Sequence, residues 1–62
     1  MKTYEEMDKL IIEDGEFMGQ TFVIVKSDDF DEVKEYILSL DESVEYDFAE
    51  HIGNGKIKLW FW

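Results

Sequence analysis

"SVEYDFAEHIGNGKIKLWFW", residues 43–62, sets two apolar-rich runs on either side of Gly53-Asn54-Gly55, and the reading of this stretch decides the fold. Asn54-Gly55 is a strong hairpin signal, because both central positions of a type I′ turn need positive φ and these two residues tolerate it. A two-residue loop fixes the register. With Gly53 opposite Lys56, unbroken alternation sets Ile52 across from Ile57, Glu50 across from Leu59 and Phe48 across from Phe61. The expected core face is then Val44, Tyr46, Phe48, Ile52, Ile57, Leu59 and Phe61. The other face carries Glu45, Asp47, Ala49, His51, Lys56, Lys58, Trp60 and Trp62, with Lys58 across from His51, Ala49 across from Trp60 and Asp47 across from Trp62. Two indole rings on that face need a cover, from the N-terminal segment, from a second copy or from a foreign partner.

Upstream of the hairpin, "SDDFDEVKEYILSL" spaces Phe30, Val33, Ile37 and Leu40 as one face of a helix over about 29–40. Asp29 is the expected N-cap with Glu32 three residues later, and Asp28, Asp31 and Glu32 lie where the helix dipole favours negative charge. Before it, "TFVIVK" is β-branched and aromatic with little alternation, which predicts a strand covered on both faces. The N-terminal third has two readings. "TYEEMDKLIIEDG" can be a helix capped by Thr3 and Glu6, stopped at Gly15, with Tyr4, Met7, Leu10 and Ile11 facing inward, and its Glu, Met, Lys and Leu favour that form. It can also be a strand closed by a hairpin at Asp14-Gly15, pairing Ile12 with Phe17 and Ile11 with Met18. Either way the class is α+β, with a small antiparallel sheet of three to four strands, one amphipathic helix across a face and a C-terminal hairpin over 43–62.

Sixty-two residues form one domain, and no repeat, linker or low-complexity segment divides them. With no Cys and a single His there is neither a disulfide framework nor a thiolate or histidine zinc cage, so packing must supply the stability. A core of this size rarely nets more than about 3–5 kcal/mol, which makes dimerisation one way to cover an apolar patch. The absence of a 20-residue apolar span or a signal-peptide core predicts a cytoplasmic protein with no membrane partner.

Chemistry is sparse in this chain. His51 has no Cys and no evident Ser partner, so a nucleophilic triad is not expected, and a chain this short can scarcely enclose a two-carboxylate cleft. "DDFDEVKEY" lacks the central Gly and final Glu of an EF-hand loop. No cofactor, metal site or enzymatic activity is expected.

Charge is the strongest functional clue. Sixteen Asp plus Glu against six Lys give a formal charge of -10, which disfavours direct binding to nucleic acid and favours a basic partner. Capping cannot account for all of the acids beyond the helix start, at Glu5, Glu6, Asp8, Glu13, Asp14 and Glu16 and again at Asp41, Glu42, Glu45, Asp47 and Glu50, and Glu45 and Asp47 stand about 6.8 Å apart on a regular strand. Solubility alone is the competing explanation. In size, acidity and the strand, helix and strand order around "SDDFDEVKEYI", the chain resembles the small acidic phage-encoded inhibitors that imitate DNA, among them anti-restriction proteins, anti-CRISPR proteins and inhibitors of uracil-DNA glycosylase. That resemblance implies an inhibitor or decoy that occupies the nucleic-acid-binding groove of a basic bacterial host protein, with carboxylates in place of phosphates and an apolar wedge beside them. The residues expected to make the contact are Asp28, Asp31, Glu32, Glu35, Glu45 and Asp47, with Trp60 and Trp62 as apolar anchors. The alternative is a homo-oligomeric structural or regulatory module built on the two Trp side chains.

Overall fold

The computed structural model describes residues 3–62, in the order α1 (Tyr4–Leu10), β1 (Ile11–Phe17), β2 (Gln20–Lys26), a 3-10 turn (Ser27–Asp29), α2 (Phe30–Leu40), β3 (Tyr46–Gly53) and β4 (Lys56–Phe61). The strands form one antiparallel sheet in the order β1-β2-β4-β3, so the class is α+β. Because β2 and β3 are both antiparallel to β4, they run parallel to each other. Helix α2 joins them and β4 lies between, which is a split β-α-β arrangement.

Both N-terminal readings hold, each for part of the segment. Thr3 caps α1 through a capping box, its hydroxyl accepting from the Glu6 amide at 3.2 Å while the Glu6 carboxylate accepts from the Thr3 amide at 3.4 Å. The helix stops at Leu10 rather than at Gly15, because β-branched Ile11 and Ile12 open a strand. Asp14-Gly15 is not a turn. The turn falls at Met18-Gly19, both at positive φ (50° and 84°), a type I′ geometry in which Met is an uncommon occupant. Helix α2 spans 30–40 behind its 3-10 turn. Asp29 precedes it without a side-chain cap bond, and the Phe30 amide donates to the Ser27 carbonyl instead.

One face of the sheet is covered by both helices. Met7 of α1 and Val33 of α2 pack with Val23, Val25, Ile57, Leu59 and Phe61, and Leu10, Ile11, Phe30, Ile37, Val44 and Tyr46 close the margins. Tyr4 and Leu40, expected inward, are exposed at the helix extremities, where Tyr4 leans on the Tyr36 ring. The other face has no helix. The Cα extents of 32 × 31 × 16 Å describe a slab two layers thick.

The hairpin departs from unbroken alternation. Asn54 and Gly55 take the expected positive φ (54° and 71°), and Gly53 pairs with Lys56. From there the register slips. His51 faces Ile57, Glu50 faces Lys58, Ala49 faces Leu59 and Phe48 faces Trp60, with irregularities at His51/Gly53 and again at Tyr46/Phe48. Gly53, at φ 92°, accommodates the first bulge. Regular pairing would have set the Glu50 carboxylate in the core opposite Leu59, a large desolvation cost, and the slip puts Ala49 there instead. Phe48 and Ile52 therefore leave the expected core face, while the second bulge returns Tyr46 to it.

Candidate protein-binding surfaces

Two surfaces of opposite character lie on the two sides of the slab. On the helical side, α2 turns Phe30, Val33 and Ile37 inward, and the same 3.6-residue period turns Asp31, Glu32 and Glu35 outward. Asp28, in the 3-10 turn, is exposed beside them. Lys34 lies between this acidic row and the β3 edge, with its ammonium 5.7 Å from the Phe30 ring centroid and 4.9 Å from that of Tyr46. Near its ends this layer is pinned by polar contacts. Tyr36 donates to Asp8 at 2.8 Å, and that bond to a carboxylate raises the phenol above its ordinary value. Asp41 accepts from the Ser43 amide at 2.9 Å and from the Ser43 hydroxyl at 2.8 Å, which holds its carboxyl below the usual range.

The helix-free side reads as four cross-strand rows, since directly paired residues share a face. Lys26 and Lys56 form the first. Glu13, Ile24, Lys58 and Glu50 form the second. Gly15, Phe22, Trp60 and Phe48 form the third. At the far end are Phe17, Gln20, Trp62 and Glu45, the last two exchanging both backbone bonds at 2.8 and 3.2 Å.

The third row is an aromatic layer. Phe48 stacks on Trp60 at 6.1 Å with 15° between planes, Phe22 lies 5.2 Å away and Phe17 meets the indole edge-on at 6.2 Å. Trp60 is thereby only 8% exposed, with its indole N–H donating to Glu50 at 2.9 Å. Its cover comes from the sheet itself, not from α1, which packs on the opposite face. The Lys58 ammonium caps the layer, 4.1 Å from the Phe22 centroid and 4.7 Å from that of Trp60. Gly15 makes room for it, because a Cβ there would lie 2.7 Å from Phe22 Cζ. Trp62 and Phe17 remain 60% exposed and Phe48 47%.

The expected contact residues thus separate into two groups. Asp28, Asp31, Glu32 and Glu35 lie on the helical side, whereas Glu45, Trp60 and Trp62 belong to the helix-free side. Asp47 occupies the second bulge of β3, so the regular strand spacing between Glu45 and Asp47 does not hold, and its carboxylate accepts from Gln20 Nε2 at 2.7 Å across the intervening β4. His51 is exposed opposite Ile57 rather than paired across from Lys58. Sequence reasoning missed Phe17, Phe22 and Phe48 as one layer, although a glycine inside a strand, here Gly15 in β1, is a sign of close approach by a neighbour. Among the described residues no His, Cys, Asp or Glu group is arranged to hold a metal ion, and no helix is long and apolar enough to cross a membrane. No family model, curated protein or solved structure matches the chain.

Proposed function

We propose that this chain is a small acidic inhibitor that binds a basic, nucleic-acid-handling protein of a bacterial host and competes with nucleic acid for its binding surface. The observation that carries the reading is the exposed acidic row of Asp28, Asp31, Glu32 and Glu35 on a chain whose formal charge is -10. Asp31, Glu32 and Glu35 are held on one face of α2, with Asp28 one turn earlier in the 3-10 turn, and a rigid array of like charges loses little entropy when it meets a basic groove. Complementary fields would accelerate encounter and make the affinity fall with salt, since screening acts over about 8 Å at physiological ionic strength. Glu45 and Asp47, at the β3 edge, reach the same partner where its groove wraps that edge. The mechanism is steric and electrostatic occupation, with no covalent step.

The test is retention of a discrete basic protein from a nuclease-treated bacterial lysate on the immobilised chain, beside an equally acidic control protein, followed by competition against a nucleic acid for the purified target. The double variant Asp31→Lys with Glu35→Lys should weaken that binding about tenfold or more at low salt and leave the fold intact. Unchanged affinity overturns the reading, as does retention no greater than on the control.

A further inference from the structure

We infer that the helix-free face of the sheet is a self-association surface, on which a second copy of this chain packs face to face about a two-fold axis. This goes beyond the inhibitor reading and does not depend on it; the two share only Glu45 and Asp47, which the second copy takes up in the dimer, leaving the α2 row for a basic partner. The covered face has buried its apolar side chains under two helices, but the other keeps Phe17, Phe48 and Trp62 at 60%, 47% and 60% exposure. Contiguous exposed aromatics on one flat face mark an interaction surface. The order of charge selects the occupant. Lys26 and Lys56 lie at one end and Glu45 and Asp47 at the other, with the row of Glu13, Ile24, Lys58 and Glu50 and then the aromatic layer between them.

A two-fold axis lying midway between the two sheets, parallel to them and to the cross-strand rows, and running over the gap between the Ile24–Lys58 and Phe22–Trp60 pairs, brings the basic end of each copy over the acidic end of the other and sets each aromatic layer against the Ile24 and Lys58 row of its mate. An isologous interface requires that self-complementarity, and the two interactions it creates are identical. A uniformly basic partner would meet Lys26 and Lys56 at one end, and a nucleic acid would meet the acids at the other. Standard interfaces bury about 800 Å² per partner. A face of the 32 × 31 Å slab has that span. Sheets packed in this way lie about 10 Å apart, and the acidic rows of both α2 helices then point outward from the pair.

Sedimentation equilibrium at about 0.15 M salt, where a Debye length near 8 Å screens the repulsion of two acidic chains, should give twice the 7.4 kDa chain mass at high concentration, with dissociation on dilution. The double variants Lys26→Glu with Lys56→Glu, and Glu45→Lys with Asp47→Lys, each place like charges at both ends and should weaken self-association about tenfold or more. Mixed together they should restore a heterodimer, because every end then meets its opposite. Circular dichroism checks that both variants are folded, and Phe48→Ser, which leaves the charges alone, should also give a monomer. A concentration-independent monomer mass for the native chain up to about 1 mM overturns the proposal. So does assembly beyond two copies, a dimer indifferent to the end reversals and to Phe48→Ser, or folded double variants that stay monomeric when mixed.

Discussion

The two faces of this one sheet solve the same problem differently. On the helix-covered face, Val25, Leu59 and Phe61 are sealed by α1 and α2 and form the core. On the helix-free face, rings cover one another within the sheet and one indole is buried, while its neighbours stay partly in water. A residue's contribution to stability therefore depends on which side of the backbone it leaves. In a 62-residue chain the covered face must supply most of what offsets the conformational entropy of folding.

The largest expected effect lies on the covered face. Leu59→Ala should cost about 2–5 kcal/mol, comparable with the whole net stability of so small a core, and leave the chain largely unfolded by far-ultraviolet circular dichroism. Phe48→Ala, measured at dilution, should cost about 1–2 kcal/mol for a half-exposed ring and its stacking. Equal losses in urea titrations would break the distinction between the faces.

Next comes Gly15→Val, which forces the Phe22 ring from its place beside Trp60 and should cost about 1–3 kcal/mol as an overpacking change. Trp60 fluorescence and the ring-shifted proton resonances of Phe22 report the displacement. Adding Phe22→Ala should make the two substitutions less than additive, and strict additivity would show that Gly15 has no part in seating the ring.

A smaller effect is expected where α1 begins. Thr3→Ala removes the capping box and should cost about 1 kcal/mol, with fraying of α1 visible in amide exchange while the aromatic layer on the other face keeps its chemical shifts. Movement of both would mean that α1 also supports the helix-free side.

The smallest effects are those of pH on the helical layer. Tyr36 has its phenol raised above 10.0 by the bond to Asp8, so its contribution is complete below that value and is lost as pH rises through the folded-state value. Tyr36→Phe should abolish that alkaline dependence. Asp41 is held below 3.8 by Ser43, so its contribution is present above that value and lost as pH falls through the folded-state value. Asp41→Asn should remove that acid limb from the urea midpoint against pH.

Much of the architecture was legible in local pattern. Phe30, Val33 and Ile37 at helical spacing specify α2, the Thr3 and Glu6 capping box specifies the start of α1, and Asn54-Gly55 specifies the C-terminal turn. Each acts within a few residues of itself. The site was less legible. The exposed carboxylates follow from the outward side of α2, but the aromatic layer draws one ring from each of β1, β2, β3 and β4, and no local period links Phe17, Phe22, Phe48 and Trp60.

Composition and local spacing by themselves determined the charge of -10, the α+β class and the hairpin turn. Only the tertiary structure decided which face Phe48, Ala49 and Glu50 would take. Strand alternation is a rule of period two, and a single extra residue inverts it. Where that residue enters is set by the cost of a carboxylate opposite Leu59 against the fit of Ala49 there, a comparison that exists only once β4 and the helices are in place.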